Sequence, residues 1–333
     1  MFRLDPFLIG LLCTIFLATV LPCHGAAVPV FQWLAILVIA LMFFLQGARL
    51  SRKAVVDGVM AWRLHLIILA CTFVLFPLLG LAAHALMPGL LQNDVWLGVL
   101  FLCCLPSTVQ SSIAFTSIGG GNVPAAVCAA TASNIAGIFI TPFLVGLVLS
   151  KHGGASGNVM NIVFQLLLPF LLGQLLQPWI GKWAHRNKKL LSLTDRGSIL
   201  IVVYTAFSEA VMQGLWHRLP HRLPLSQLAL IALVDFLLLV CVLLITAYGS
   251  RLAGVPLRDE IAIVFCGSKK TLASGVPMAN VLFPAASVGL IVLPLMIYHQ
   301  IQLFVCAVLA RKFARMTQEN AEGLQAAGGP QKE

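Results

Sequence analysis

The chain reads Gly267-Ser268-Lys269-Lys270-Thr271-Leu272-Ala273-Ser274-Gly275 in the middle of an apolar stretch that begins at Ile261 and resumes at Val276. A second polar stretch, Pro106-Ser107-Thr108-Val109-Gln110-Ser111-Ser112, divides the apolar run that starts at residue 95. Proline removes a backbone donor and glycine lowers helix preference, so both stretches predict points where a helix unwinds. Unwound backbone in lipid needs partners from protein or water. The two stretches therefore predict a wet, positively charged cavity enclosed by apolar helices.

The rest of the chain is too apolar for a soluble protein. Of its 333 residues, 60% are hydrophobic and 10% are charged, whereas about 25% of an ordinary globular chain is charged. This composition also argues against a disordered, fibrous or nucleic-acid-binding protein, although the formal net charge is +10. The nine cysteines form no Cys-x-x-Cys and no metal-ligand spacing with histidine, so we expect no disulfide, metal or cofactor. The expected environment is a lipid bilayer.

The intervals between charged residues predict ten membrane-spanning helices, since one crossing takes about 20 apolar residues. Two further intervals each hold a single acid, Glu209 or Asp235, within one span. We take the first apolar segment to be a helix and not a cleaved signal. The spans are assigned as two in 6–48, one in 64–93, two in 95–150, one in 152–181, one each between Arg196 and Arg218 and between Arg222 and Arg251, and two in 271–310.

Basic residues set the expected orientation, because loops kept in the cytoplasm accumulate Lys and Arg. With the N-terminus inside, sixteen Lys and Arg fall on the cytoplasmic side and three on the other, while Lys269 and Lys270 fall within or beside a span. We therefore expect both termini in the cytoplasm. The expected location is a bacterial inner membrane.

Ten spans divide into five plus five, and an odd number per half requires that any repeat be inverted across the bilayer, as in secondary transporters. The expected fold is an all-α polytopic membrane protein with broken fourth and ninth helices. The expected units are a first repeat at 1–151, an inverted second repeat at 152–315, and a disordered cytoplasmic tail at 316–333.

Two alternatives compete with this interpretation of the polar stretches. Lys269 and Lys270 can lie in a cytoplasmic loop, with the ninth helix beginning at Thr271; the apolar stub 259–266 then has no role. The hydroxyls of the fourth span can be ordinary Ser and Thr packing between helices.

Several motifs resemble the bile acid/sodium symporter family, solute carrier family 10, over essentially the whole chain. The family motif is Pro106 to Ser111 followed by Gly121-Asn122-Val123. The stretches Leu105 to Ser112 and Gly267 to Leu272 are more closely similar to a divergent bile acid symporter-like branch. The resemblance implies a panel made of helices one, two, six and seven, and a core made of the other six with two crossed broken helices. Substrate moves as the panel and the core rock against each other.

The resemblance also implies a sodium site that this sequence has altered. In the family the ligands are a Ser-Asn pair, two hydroxyls of the fifth helix, a glutamate and a glutamine; the matching positions here are, in that order, Ser111 and Ser112, Ala126 and Ala130, Phe265, and Lys269. Alanine and phenylalanine side chains cannot coordinate a cation, and an ammonium group repels one. We therefore expect Lys269, with Lys270, to take the place of sodium as a fixed positive charge.

The expected function is secondary active transport of a small organic anion by alternating access, either proton-coupled or uncoupled. The alternatives are a sodium-coupled organic anion symporter and a non-transporting membrane regulator or channel. An enzyme is not expected, because Gly-x-Ser-x-Gly and His-Glu-x-x-His are lacking. The substrate, the coupling ion (H⁺ or Na⁺) and the oligomeric state have no signature in the sequence.

The candidate binding residues lie in or beside the polar stretches, in the glycine-rich hinge 117–122, or on the fifth span that follows this hinge. Lys269, Glu209 and Asp235 are the candidates for proton coupling, although Glu209 can instead lie near the extracellular surface. The candidates for binding substrate or ion are Ser107, Thr108, Gln110, Ser111, Ser112, Asn122, Thr131, Ser133, Asn134, Ser268, Lys269, Lys270, Thr271 and Ser274.

Overall fold

The computed structural model describes residues 6–25, 27–49, 62–149, 159–212 and 225–327. Within these ranges every regular element is a helix, and no strand is present. The helices are α1 (Pro6–Val20), α2 (Ala27–Arg49), α3 (Trp62–Ala70), α4 (Phe76–Leu86), α5 (Asn93–Cys104), α6 (Gln110–Ile118), α7 (Val123–Leu149), α8 (Val159–Leu175), α9 (Gln177–Arg186), α10 (Lys188–Met212), α11 (Leu225–Leu252), α12 (Leu257–Gly267), α13 (Leu272–Leu282) and α14 (Ala285–Ala327). A π-helical turn, Cys71–Leu75, joins α3 to α4.

In the described ranges, six helices are long and apolar enough to cross a membrane. They are apolar on nearly all sides, as expected of helices that face lipid with one side and protein with the other. Their spanning segments are Ala27–Arg49, Arg63–Leu86, Val123–Val148, Lys189–Glu209, Ser226–Leu252 and Ser287–Glu319.

Both predicted interruptions are present. The chain leaves the helical conformation between Cys104 and Gln110, and again between Gly267 and Leu272. Lys269 and Lys270 lie in the second interruption and are fully buried. Their placement in a cytoplasmic loop, the alternative considered from the sequence, is therefore wrong.

The helices pack in two groups. One group consists of α1, α2, α8 and α10, in which α2 packs along α8, and α10 packs against both α1 and α2. The other group surrounds the interruptions and contains α3 to α7 and α11 to α14. Contacts of α10 with α13 and α14, and of α8 with α7 and α13, join the two groups.

Two glycines set the distance between α2 and α8. A Cβ atom on Gly47 would collide with the Phe170 carbonyl, and one on Gly173 would collide with the Phe44 carbonyl. In lipid, small residues allow this approach of two helix backbones, where van der Waals contact replaces the hydrophobic effect. The reciprocal glycines therefore hold α2 and α8 together.

The end of the chain differs from the expected disordered tail. Helix α14 continues to Ala327, so residues 316–327 are helical; residues 328–333 lie outside the described ranges. The segment is polar, but it is rich in Ala, Glu and Gln, which are good helix formers. Extending an existing helix also avoids the cost of nucleation.

Candidate binding site at the two interruptions

The two interruptions hydrogen-bond directly to each other. The Thr271 amide donates to the Pro106 carbonyl at 3.0 Å. The Ser107 hydroxyl donates to the Cys266 carbonyl at 2.6 Å, and the Ser112 hydroxyl donates to the Phe265 carbonyl at 3.1 Å. Each interruption thus supplies hydrogen-bond partners for backbone carbonyls at the other interruption. Unwound backbone at membrane depth requires such partners.

Lys270 is the centre of this region. Its ammonium donates three hydrogen bonds to backbone carbonyls, at 2.8 Å to Thr72, 2.9 Å to Cys103 and 2.7 Å to Leu105. The nitrogen also lies 4.1 Å from the centroid of the Phe76 ring. A lysine ammonium has three donors, so every one of them is used within the protein.

These three carbonyls have no hydrogen-bond donor within their own helices, for local reasons. Cys103 and Leu105 lie at the C-terminal end of α5, where carbonyls lack intrahelical partners and carry the negative end of the helix dipole. The Phe76 amide donates to the Cys71 carbonyl across the π-helical turn, and Pro77 has no N–H. The Thr72 carbonyl is therefore available to Lys270.

Lys269 has a different environment from its neighbour. Its ammonium donates one hydrogen bond, at 2.9 Å, to the Ser111 carbonyl. It lies 3.7 Å from the centroid of the Phe115 ring and 5.6 Å from that of Phe265, within the range of cation–π attraction. Among the residues that the structure describes, no other hydrogen bond to this ammonium is found.

Helix α14 fixes the backbone of the second interruption. Gln302 accepts from the Lys270 amide at 2.9 Å and donates to the Lys270 carbonyl at 3.0 Å. One turn earlier, the Tyr298 hydroxyl donates to the Ser268 carbonyl at 2.7 Å. His299 contacts the Gln302 amide at 2.8 Å, so it acts as a packed polar residue.

Helix α7 fixes the first interruption in a similar way. The Ser133 hydroxyl accepts from the Ser107 amide at 3.1 Å, and Thr141 donates to the Cys104 carbonyl at 2.9 Å. Gly137 lies against the ring of Pro106, where a Cβ atom would meet the ring at 2.6 Å. Of the three predicted polar residues of this helix, Ser133 is therefore the one bonded to the break.

The structure brings most of the predicted binding residues together and leaves a few apart. Thr131 and Asn134 are half-buried on α7, and no hydrogen bond to either interruption is found for them in the described part of the chain. Ser274 is buried near the start of α13 with no hydrogen-bond partner there. The residues in or directly beside the interruptions are Ser107, Thr108, Gln110, Ser111, Ser112, Ser268, Lys269, Lys270 and Thr271.

Asn122 belongs to another contact. Its amide nitrogen donates to the Asp259 carboxylate at 2.7 Å, its backbone N–H donates to the Arg258 carbonyl at 2.8 Å, and its side-chain oxygen accepts from the Ala125 amide. Asparagine before a helix accepts from the open amides of the first turn, which suits Asn122 ahead of α7. The contacts of Asn122 are therefore structural, and its role in binding stays a prediction.

The expected wet cavity is not open at the interruptions. Ser107, Ser112, Lys269 and Lys270 are each 0% exposed, so no water-sized space touches them. The reason is that the polar groups of the two breaks bond to each other and to α7 and α14. Gln110, by contrast, is exposed at the start of α6, and Ser111 is half-buried.

Neither intramembrane acid pairs with a lysine among the described residues. Asp235 is fully buried on α11 against the backbone of Tyr298, and neither carboxylate oxygen has a well-formed hydrogen bond. Glu209 is half-buried near the end of α10. The salt bridges of the described ranges are elsewhere, between Arg49 and Asp195 and between Arg251 and Glu260.

Three of the positions that the resemblance matches to family sodium ligands lie in apolar surroundings. Ala126 and Ala130 pack in an apolar cluster with Ile68 and Ile263, and Phe265 places its ring against Phe115 and Phe313. The described residues also contain no group of three His, Cys, Asp or Glu side chains that could hold a metal ion. Of the matched positions, Ala126, Ala130 and Phe265 thus offer no side-chain ligand atom for a cation.

Some contributors to the site are not predicted from the sequence, among them Thr72, Pro77, Tyr298 and Gln302. Thr72 and Pro77 create an acceptor in the third predicted span, and a proline inside an apolar segment signals such a free carbonyl. Tyr298 and Gln302 are four residues apart, so they share one face of a helix. Two polar residues on one face of an apolar helix mark a polar partner inside the bundle.

Replacing Tyr298 with phenylalanine is expected to lower the stability of the protein by about 1–2 kcal/mol, because the buried Ser268 carbonyl loses its donor. Thermal unfolding in detergent measures the change. Tyr248→Phe is the matched control, since Tyr248 is 60% exposed, and its effect should stay within about 0.5 kcal/mol. Equal effects of the two substitutions would show that the hydrogen bond from Tyr298 to the Ser268 carbonyl does not stabilise the protein.

Comparison with known proteins identifies the family. The SBF-like CPA transporter family matches residues 5–315. An uncharacterized protein of Pseudomonas aeruginosa is 53% identical over 324 residues, 96% of each chain, and "Putative symporter YfeH" of Escherichia coli is 52% identical over 318 residues, 95% of each chain. Sodium/bile acid cotransporter 7 of Xenopus tropicalis is 28% identical over 92% of this chain and 91% of its own. The resemblance expected from the sequence is thus confirmed, and the chain is an integral membrane protein that belongs to the SBF-like CPA transporter family.

Proposed function

We propose that the protein is a secondary active transporter of a small organic anion, working by alternating access. The relatives named as symporter and cotransporter support transport. The grouping of α1, α2, α8 and α10, with α9 packed on α2, supports a panel that moves against a core made of the other helices. The interface between the two groups runs beside the interruptions, where α10 and α8 contact α13.

The proposed topology has ten spans in two inverted repeats, with both termini in the cytoplasm of a bacterium. Six spans are the long apolar helices. The other four are α1, α8 and the two interrupted pairs, α5 with α6 and α12 with α13. The interrupted pairs then fall fourth and ninth, the same position in each half, which agrees with a repeat of five helices.

The observation that carries the proposed mechanism is the ammonium of Lys270 among three backbone carbonyls. Carbonyl clusters of this kind surround bound cations in membrane proteins. Here a cation attached to the chain takes that position, while Ala126, Ala130 and Phe265 lack ligand atoms. We therefore propose transport that is uncoupled or coupled to protons, with Lys269, Glu209 and Asp235 as candidates for the proton-coupling group.

We assign recognition of the anion to Lys269 more than to Lys270. The Lys269 ammonium makes one hydrogen bond in the described structure and therefore keeps donors for a ligand. Its partner Ser111 is half-buried, and Gln110 beside it is exposed, so this side of the site lies nearest to the surface. A fixed positive charge in a low-dielectric site attracts an anion strongly.

Purified protein in liposomes tests the proposal. Organic anions, including taurocholate, are first screened by thermal shift in sodium chloride and in choline chloride across pH. A stabilising anion is then radiolabelled and followed by counterflow. We expect saturable counterflow at equal rates in sodium and choline, and loss of the anion's stabilising effect in Lys269→Gln. Sodium-dependent uptake would contradict the role of the lysines. Stabilisation without exchange would favour a regulator, and current without saturation would favour a channel.

A further inference from the structure

Helix α9 carries an unusual exposed face. Trp179, Lys182, Trp183 and Arg186 follow the spacing i, i+3, i+4 and i+7, which places all four on one side of a helix. All four are exposed, Trp179 to 73%. The opposite face carries Gly181, Ala184 and other small or half-buried residues, and Ala184 packs with Leu45 of α2 and Leu191 of α10. The helix is therefore fixed to the protein by one face and offers two indoles and two cations on the other.

An apolar groove lies directly before this helix in the chain. It is a shallow, open depression along one side of the last turns of α8. The turn at Leu176 separates the end of α8 from the start of α9, so the groove and the basic face meet at one corner of the protein. The lining residues are Leu168, Leu171, Leu172, Gln174 and Leu175.

The charge around this corner is one-sided. Lys189 is also exposed, at the start of α10. The nearest acid in the sequence, Asp195, bonds Arg49 through both carboxylate oxygens, at 2.6 and 3.1 Å, and is neutralised by it. The cations of α9 thus have no acidic partner among the salt bridges of the described residues.

We propose that the corner between α8 and α9 is a binding site for an anionic phospholipid. The phosphate of the headgroup is held by Lys182 and Arg186, and one acyl chain lies along the leucine groove. Indole rings are favoured at the level of the headgroups, and long basic side chains extend from that level toward lipid phosphates. Basic residues close to an anionic leaflet each add to the attraction.

Native mass spectrometry with phosphatidylglycerol and phosphatidylcholine as probes tests this site. The wild-type protein is expected to retain phosphatidylglycerol in preference, and the double variant Lys182→Gln/Arg186→Gln should bind it roughly 30-fold more weakly, the combined effect of two cations near a surface. Arg311→Gln/Lys312→Gln is the matched control, because both residues are exposed cations of α14. It should retain the lipid as the wild type does.

Brominated lipids give a second readout that does not depend on the charge variants folding. The fluorescence of Trp179 and Trp183 is the difference between the wild type and the variant Trp179→Phe/Trp183→Phe. In mixed nanodiscs, brominated phosphatidylglycerol should quench this fluorescence more than brominated phosphatidylcholine does. Glycerol phosphate and inorganic phosphate should not displace the lipid, because they lack the acyl chain. Equal retention of the two lipids, equal loss in the α9 and α14 variants, or displacement by free phosphate would each overturn the proposal.

Discussion

Replacing Lys270 with alanine is expected to make the stability of the protein depend on sodium. The substitution removes the donor from three buried carbonyls, those of Thr72, Cys103 and Leu105, and leaves a space between them. Each abandoned acceptor costs about 1 kcal/mol or more, so a loss of at least about 3 kcal/mol is expected without a replacement cation. A sodium ion with water can occupy the vacated position and recover part of this loss.

Thermal unfolding of Lys270→Ala in sodium chloride, choline chloride and potassium chloride measures the effect. The midpoint should rise in sodium for the variant and stay unchanged for the wild type. Lys269→Ala is the matched control, because that ammonium has one carbonyl partner, Ser111, and leaves no cluster behind. A variant as stable as the wild type in choline, or a sodium response shared by both alanine variants, would show that Lys270 does not act as an internal cation.

Replacing Gly173 with alanine is expected to separate α2 from α8 and to reduce the yield of folded protein sharply. The new methyl group would overlap the Phe44 carbonyl, and a backbone atom cannot move aside as a flexible side chain can. Overpacking of this kind costs typically about 1–3 kcal/mol, and Gly47→Ala, which meets the Phe170 carbonyl, should behave alike. Size-exclusion profiles and unfolding midpoints in detergent report both effects.

Two other helical glycines provide the controls. Nothing lies within 4 Å of a Cβ atom on Gly197 or Gly249. Because alanine is the better helix former by up to about 1 kcal/mol, Gly197→Ala and Gly249→Ala should leave stability unchanged or raised. Comparable losses at all four positions would mean that close packing of α2 against α8 is not the cause.

The interruptions are predictable from sequence because their causes are local. Pro106, Gly267 and the hydroxyl residues near them act on the backbone at their own positions, and each falls at the point where a helix ends. Helix α9 is harder to find, since ten residues of mixed polarity within a basic segment look like a loop. The helical continuation of α14 past Met316 depends on a helix already formed before it.

The contacts of the site are predictable only in part. Two adjacent lysines in an apolar segment indicate a buried charge, but the residues themselves do not tell which one meets the carbonyl cluster. That choice depends on the Thr72 carbonyl of the third predicted span and on the end of α5, both far from Lys270 in sequence. Closure of the site around its own hydroxyls is likewise a tertiary effect, set by Ser133 and Gln302.

The π-helical turn at Cys71–Leu75 has a consequence for the length of its helix. Such a turn holds one residue more than the α-helical path would. Deleting a single residue there, such as the exposed Val74, would turn the bond between the Phe76 amide and the Cys71 carbonyl into an ordinary α-helical one and leave the direction of α4 nearly unchanged. The Thr72 carbonyl would then face Pro77, which has no N–H, and would stay available to Lys270. This segment should therefore tolerate the loss of one residue better than the regular helices around it.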